Sequence, residues 1–219
     1  MAAQAGVRYS IKNPKIYLDS NIIGTFHVIE SAKKYKVKHL IIGSSSSVYG
    51  ANKKVPFFEK DSVDHPISLY AATKKSNELM AHTYSHLYGL PATGLRFFTV
   101  YGPWGRPDMA YFFFTNRIVK GEPITVYRLP AGREPGRDFT YIDDIIDGVV
   151  GALALGAEEE VFNLGNHRTE SLGRFISVLE AELGMRANKT EVGMAPGDVM
   201  STYADVQRAN ERIGYKPED

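Results

Sequence analysis

The sequence contains no cysteine, which excludes disulfide bonds, thiolate nucleophiles and cysteine-ligated metal sites. It has almost no net charge, with 26 Lys and Arg against 25 Asp and Glu, so no overall field attracts nucleic acid or an acidic membrane. No apolar run approaches the roughly 20 residues of a membrane-spanning helix, and residues 1–10 lack the apolar stretch of a signal peptide. We therefore expect a cytoplasmic protein that holds any anionic ligand through local groups.

The composition is that of a folded globular protein. Hydrophobic residues make up 43% of the 219 positions and charged residues 23%, which argues against extensive disorder. The length is enough for one large domain or two small ones. The second half is richer in Gly and Pro, and we place a domain boundary near Tyr101.

Hydrophobic periodicity predicts helices that alternate with buried strands in the first half of the chain. Apolar residues at helical spacing predict a helix over 14–35, followed by a strand at 40–42 and a serine-rich turn. A second helix is predicted over 68–88, and a strand over 91–98. This alternation predicts an α/β fold with a parallel sheet.

The second half repeats the pattern less regularly. A surface loop is predicted over 130–136, and Ser171 is placed to cap the helix that follows it. The other predicted elements are helices over 109–120, 143–155 and 171–183 and strands over 124–127 and 161–164.

Three residues at the first strand and the second helix can carry chemistry. Tyr70 and Lys74 are four apart in a predicted helix, so their side chains share one face. A nearby cation lowers the pKa of a tyrosine, whose ordinary value of about 10 makes it a poor base. Ser45 ends the preceding strand, where its hydroxyl can bond a substrate alcohol. The same residues also fit a partly buried tyrosine beside a solvated lysine, and a flexible polar loop.

Four ordered segments together carry a resemblance to a known family. They are S-S-S-S-V-Y-G from Ser44, Y-A-A-T-K from Tyr70, L-R-F-F-T-V-Y-G-P-W-G-R-P-D-M-A from Leu95 and G-R-D-F-T-Y-I-D-D-I from Gly136. With them, the chain resembles the extended short-chain dehydrogenases/reductases of the NAD-dependent epimerase/dehydratase family over nearly its whole length. Within that family it is most similar to the UDP-glucuronate 4-epimerases.

The resemblance implies a doubly wound, parallel, Rossmann-like sheet that lacks its first strands, with a smaller C-terminal α/β substrate domain. Residues 1–101 would form the C-terminal part of a dinucleotide-binding domain. Residues 102–219 would form mostly the nucleotide-sugar substrate domain, interleaved with late Rossmann elements. Family members begin earlier, with a glycine-rich phosphate-binding turn, and no G-x-G-x-x-G occurs in this sequence.

The resemblance also implies a reaction in which NAD stays bound. Tyr70 would take the proton of the sugar 4-hydroxyl, and Ser45 would bond the same oxygen. Lys74 would hold the nicotinamide ribose and lower the pKa of Tyr70. C4 would be oxidised and then reduced again from the other face, which interconverts UDP-glucuronate and UDP-galacturonate.

Further site residues are implied by position in the family motifs. The remaining cofactor contacts would be Ala2, Ala3, Asn21 and Phe97. Substrate contacts would be Ser46, Ser47, Thr99, Arg106 at the sugar carboxylate, Arg137 at the pyrophosphate and Asp198 near the uridine. The related dehydratases and decarboxylases carry a carboxylate at or beside position 47, and this chain has serines there. Alternatively, Phe97 is a core residue, Arg106 an exposed loop arginine, and Arg137 part of an ion pair with Asp138 or Asp143.

Three functional hypotheses follow. The first is an NAD-dependent UDP-glucuronate 4-epimerase, and the second an epimerase for another UDP-hexose. The third is a truncated, inactive homologue that binds UDP-sugars or dimerises with a relative. The resemblance further implies a homodimer through the helices near 14–35 and 68–88.

Overall fold

The computed structural model of the protein describes residues 3–128, 134–156, 159–193 and 201–218. Its centre is a parallel sheet of three strands, β1 (Leu40–Ser45), β2 (Ala92–Phe97) and β7 (Glu159–Leu164), in the order β1-β2-β7. Both pairs are parallel, and Ser45, Phe97 and Leu164 lie side by side at the same end of the sheet. The predicted parallel α/β fold is confirmed.

A helical layer precedes the first strand. It consists of α1 (Val7–Lys12), α2 (Pro14–Tyr17), a π-helical segment (Leu18–Ile23) and α3 (Gly24–Lys34). The helix predicted over 14–35 is therefore present, but six of its residues are wound as π-helix, which is frequent at functional sites. Helix α1 was not predicted, because no apolar periodicity marks it.

Helix α4 (Leu69–Tyr88) packs with α3 against one face of the sheet. Its first turn is fixed by Ser68, whose hydroxyl accepts a hydrogen bond from the Ala71 N–H at 3.1 Å. Gly89 ends it in the left-handed conformation, at φ 62°. The buried residues between these helices and the sheet are Ile29, Ala32, Ile42, Ala81, Leu90 and Ala92.

Helices α6 (Ile142–Leu155) and α8 (Gln207–Ile213) cover the opposite face, so the sheet is wound on both sides. Gly148 lets α6 approach closely, since a Cβ atom there would lie 2.8 Å from the Leu164 side chain. The buried core on this face comprises Leu95, Ile145, Ala152, Phe162, Leu164, Ala209 and Tyr215. It is the largest of the described clusters and joins β2 to β7.

A second, smaller core lies between α5 (Ala110–Val119), α7 (Leu172–Leu183) and the parallel pair β4 (Ile124–Arg128) and β9 (Lys189–Gly193). The Ser171 hydroxyl accepts from the Arg174 N–H at 3.1 Å, which confirms the predicted cap. The periodicity did not predict β9 or α8. The division into residues 1–101 and 102–219 stays a prediction.

Two further short strand pairs lie outside the central sheet. Strand β3 (Thr99–Tyr101) runs parallel to β6 (Phe139–Tyr141), and β5 (Gly136–Arg137) runs antiparallel to β8 (Glu170–Ser171). Gly136 thus belongs to a strand and not to the predicted loop over 130–136, of which residues 130–133 lie outside the described part. Within the described ranges, no helix has the length and apolar character needed to cross a bilayer.

We expect Leu95→Ala to destabilise the fold far more than Leu153→Ala. Leu95, in β2, is fully buried in the core beneath α6, whereas Leu153, on α6 itself, is 52% exposed. Truncating a buried leucine leaves a cavity and costs about 2–5 kcal/mol, and a surface change costs roughly 0.5 kcal/mol. Urea unfolding measures both values, and equal losses would contradict this assignment of the core.

Candidate active site

The candidate site lies where the parallel strands end, which is the usual ligand edge of such sheets. Ser45 is the last residue of β1 and caps a single 3₁₀ turn, Ser46–Tyr49. Its hydroxyl accepts from the Ser47 N–H at 3.2 Å and donates to the Ser47 hydroxyl at 3.1 Å. The serine-rich segment is therefore an ordered turn and not a flexible polar loop.

Tyr70 and Lys74 reach this turn from the first two turns of α4. Lys74 is buried, its Nζ donates to the Gly43 carbonyl at 2.7 Å, and it lies 5.9 Å from the centre of the Tyr70 ring. The Tyr70 hydroxyl is hydrogen-bonded with Ser45, a contact that lowers the pKa of Tyr70. The structure thus brings together the three residues that the sequence singled out as catalytic.

Burial dominates the electrostatics of this group. It raises the pKa of Tyr70, although the Ser45 hydrogen bond and the positive charge of Arg106 act in the opposite direction. It also lowers the pKa of Lys74. The resemblance implied a lowered pKa for Tyr70 through Lys74. The net direction of the pKa of Tyr70 is the opposite here, because burial outweighs the Ser45 hydrogen bond and the charge of Arg106.

Tyr17 packs directly against Tyr70. It is fully buried, and its ring packs edge-on against Tyr70 with centres 6.0 Å apart. Its hydroxyl donates to the carbonyls of Ala5 at 2.8 Å and Gly6 at 2.6 Å. Tyr17 therefore fixes the N-terminal segment beside Tyr70. The sequence analysis missed it, since nothing in the local pattern distinguishes it from a core aromatic.

Asn21, in the π-helical segment, fastens the same region to α4. Its side-chain amide donates to the Gln4 carbonyl and the Thr73 hydroxyl, both at 3.0 Å, and its oxygen accepts from the Gln4 N–H at 2.8 Å. Ala3, predicted as a cofactor contact, is exposed just before this anchored segment. Ala2 lies outside the described residues.

A buried carboxylate, Glu78, connects the helix and the two strands that carry the site. Glu78 accepts from the Ser44 hydroxyl at 2.6 Å and from two nitrogens of Arg96, Nε and Nη2, at 2.9 Å each. Burial alone would raise the pKa of Glu78, but Arg96 and Ser44 more than offset it, and the pKa is lowered. Arg96 also donates to the Tyr49 hydroxyl at 3.0 Å. The sequence analysis missed this group as well.

Four of the six predicted substrate residues line one cleft. A pocket of about 140 Å³ is lined by Ser46, Ser47, Thr99 and Arg137, together with Val7, Gly50, Phe57, Ile67, Ser68 and Thr202. Arg137 donates to the Gly136 carbonyl at 2.8 Å. The neighbouring Asp138 is fully buried and accepts from the Asn166 and Ala204 N–H groups and the Thr140 hydroxyl.

Arg106 lies on the loop between β3 and α5, where it is paired with Asp108. Its Nε is 2.9 Å from Asp108 Oδ1, and its Nη2 is 2.7 Å from Oδ2. Its charge acts on the phenols of both Tyr70 and Tyr17, so it lies on the same side of the molecule as these two residues. The pairing with Asp108 was not anticipated from the sequence.

Two predicted site residues remain, Phe97 and Asp198, and the structure describes only the first of them. Phe97 lies beside Ser45 in the sheet and packs against the core beneath α6, so its core interpretation and its position at the site edge both hold. Asp198, predicted near the uridine, lies outside the described residues.

A parallel sheet with a serine, a tyrosine and a lysine at its carboxyl edge is the arrangement expected of an extended short-chain dehydrogenase/reductase. Residues 1–165 match the NAD dependent epimerase/dehydratase family. The chain belongs to this family, whose cofactor is NAD.

Individual relatives are similar over the whole chain. Protein CapI of Staphylococcus aureus is 50% identical, with 100% of this chain and 70% of the relative covered. UDP-glucuronate 4-epimerase 6 of Arabidopsis thaliana is 52% identical, with 99% and 50% covered. A solved structure of UDP-glucuronic acid 4-epimerase from Bacillus cereus, with UDP-glucuronic acid and NAD, has a TM-score of 0.91 at 36% identity, with 100% and 69% covered. The chain thus spans between half and about 70% of the length of these proteins.

We expect the stability of the wild type relative to Lys74→Met to rise with pH. Burial lowers the pKa of Lys74 below its ordinary 10.5, so the folded chain releases this proton at a lower pH than the unfolded chain. Between the two pKa values the unfolded chain binds more protons, and stability increases with pH. Lys74→Met lacks this contribution.

Urea unfolding at several values from neutral pH up to the ordinary pKa of lysine measures this difference. Lys36→Met, which replaces an exposed lysine, is the matched control. The quantity to follow is the unfolding free energy of the wild type minus that of Lys74→Met. If this difference stays constant or falls as the pH rises, Lys74 is not buried as a charge.

Proposed function

We propose that the chain carries the catalytic residues of an NAD-dependent UDP-sugar 4-epimerase acting on UDP-glucuronate. The observation that carries this proposal is the convergence of Ser45, Tyr70 and Lys74 at the carboxyl edge of the sheet, with Arg106 acting on the same phenol. The names of the Arabidopsis and Bacillus relatives support the choice of substrate.

The residues at this edge fit the nicotinamide end of NAD. The Lys74 ammonium has three N–H donors, and Gly43 accepts one of them, so Lys74 can also donate to ribose hydroxyls. Phe97 provides an aromatic surface at the neighbouring strand end. When bound, NAD supplies the acceptor and donor of hydride at C4 of the sugar. The sequence contains no G-x-G-x-x-G turn, so we assign only this end of the cofactor to the chain.

Proton transfer falls to Tyr70. It accepts the proton of the sugar 4-hydroxyl during oxidation and returns it after the sugar has turned over. The Ser45 hydroxyl bonds the same oxygen and keeps it in reach. Burial raises the pKa of Tyr70, and the positive charge of Arg106 acts in the opposite direction and favours the phenolate.

Substrate binding falls to the cleft beside the serine turn. Arg137 would bind the pyrophosphate, and Ser46, Ser47 and Thr99, which line the same pocket, would contact the sugar. Arg106 binds the sugar carboxylate through its planar donor fork. Because positions 46 and 47 carry hydroxyls, no carboxylate stands there to drive elimination or decarboxylation, and epimerisation is the reaction that these residues support.

Two alternatives each have an observation in their favour. A UDP-sugar-binding or dimerising homologue without turnover fits the raised pKa of Tyr70, because a protonated phenol cannot act as the base. An epimerase for another UDP-hexose fits the pairing of Arg106 with Asp108, because a neutral sugar does not need that arginine.

We expect the purified chain, supplied with NAD, to convert UDP-glucuronate to UDP-galacturonate, and Tyr70→Phe to lose about 10²- to 10⁴-fold of the rate because the general base is gone. Anion-exchange separation of the two nucleotide sugars measures conversion, and Tyr88→Phe, at an exposed tyrosine, is the control. Turnover that survives Tyr70→Phe would contradict the assigned base. Binding of UDP-glucuronate without turnover, together with no heat on calorimetric titration with NAD, would favour the non-catalytic alternative.

We also propose that two copies pair through the helices of the N-terminal layer and α4. This face exposes apolar side chains that a second copy can cover, namely Ile16, Ile23, Phe26, Val28, Leu79 and Leu87. They are spread along helices that pack against each other on one face of the sheet. A two-fold dimer would set this face against the same face of a second copy.

Light scattering of the wild type is expected to give the mass of a dimer, and Phe26→Glu that of a monomer, since it places a charge in the covered face. Phe113→Glu is the matched control, because Phe113 on α5 is 42% exposed against 41% for Phe26 and lies away from this face. A monomeric wild type would contradict the proposed pairing.

A further inference from the structure

The pair of Arg106 and Asp108 has the geometry of a carboxylate complex. Asp108 places one oxygen on Nε and the other on Nη2, at 2.9 and 2.7 Å, which is the two-point arrangement that a guanidinium offers any carboxylate. The side chains are 44% and 63% exposed, so another carboxylate can reach the same fork from solvent. Exposed pairs of this kind are weak, which makes the partner exchangeable.

The pair is held against the catalytic group by the N-terminal segment. Gly6 has φ 103°, and a Cβ atom there would lie 3.5 Å from Arg106 Nη2, 3.8 Å from Asp108 Oδ2 and 3.8 Å from the Tyr17 hydroxyl. Tyr17 in turn packs against Tyr70. A residue with a side chain at position 6 would be strained by the positive φ, and its Cβ would touch the fork at ordinary contact distance. The fork therefore lies beside the residues that face the reacting end of the sugar.

We propose that Asp108 is a specificity-determining residue that serves as an internal carboxylate. It occupies the fork of Arg106 until the carboxylate of a uronic acid sugar takes its place. This inference rests on the proposed function, and it adds Asp108 as a competitor of the sugar carboxylate for Arg106. A sugar with a neutral hydroxymethyl group at C5 cannot replace the two charge-assisted bonds and leaves the pair intact. A uronate can replace both of them, and its binding is opposed only by the loss of a weak exposed pair.

The sign of the effect follows from this competition. Asparagine at position 108 keeps the size of the side chain but removes its charge, so Arg106 is released to the substrate. Because exposed pairs are weak, Asp108→Asn should tighten binding of UDP-glucuronate by only about two- to five-fold. Binding of UDP-glucose, which makes no such exchange, should change by much less. The ratio of the two affinities is therefore the diagnostic quantity.

Calorimetric titration of the wild type, Asp108→Asn, Arg106→Gln and the double variant with UDP-glucuronate and UDP-glucose tests the inference without requiring turnover. Asp147→Asn, at an exposed position on α6, makes the same change in net charge and is the control. We expect Asp108→Asn to tighten binding of UDP-glucuronate selectively, and this gain to vanish in the Arg106→Gln background.

Three results would overturn the inference. They are weaker or unchanged binding of UDP-glucuronate by Asp108→Asn, an equal gain for both sugars, and a gain that persists without Arg106. In each case the wild type still binds UDP-sugars, so the proposed function survives. A wild type that binds neither nucleotide sugar contradicts the proposed function and this inference together.

Discussion

The Glu78 carboxylate is the constraint on which the candidate site depends. It accepts from Ser44 at the end of β1 and from Arg96 in β2, and it projects from α4, so one buried group fixes two strands and a helix. Glu78 and Arg96 each expose only 4% of their side chains, and a buried charge that loses its partner is strongly destabilising. Since Ser45 follows Ser44 and Lys74 lies one helical turn before Glu78, their separation is set by this contact.

The same burial that fixes the site shapes its proton chemistry. Removing Tyr70 and Lys74 from water disfavours the charged form of both, so it raises the pKa of the phenol and lowers that of the ammonium. A buried tyrosine can act as a base only where positive charge stabilises its phenolate. The described structure provides such charge from Arg106, on a loop of the second half of the chain, which acts on the Tyr70 phenol.

How far the sequence predicts the structure depends on the range of the interaction. The helix over 68–88 and the strands on either side of it follow from local periodicity and caps, and they were predicted within a few residues. The convergence of Ser45 with Tyr70 was predictable because strand ends and helix starts meet at one edge of a parallel sheet. The partners of Glu78 and of Tyr17 were not, since each contact joins side chains that local pattern treats as ordinary polar or core positions. The bonds from Asn21, in the π-helical segment, to Gln4 and Thr73 are likewise contacts that no periodicity reports.

Two arginine–carboxylate pairs in this fold have the same bonding pattern but different roles, and the role of each follows from how deeply it is buried. Arg96 with Glu78 is sealed in the protein, so neither group can exchange its partner without leaving a charge buried, and the pair acts as scaffold. Arg106 with Asp108 stands about half exposed at the mouth of the site, where water screens the charges and a ligand can approach. Its low stability is what a recognition element requires, because a partner that binds weakly is one that a substrate carboxylate can displace. In our proposal the site thus combines a buried group that cannot rearrange with an arginine whose carboxylate partner can change.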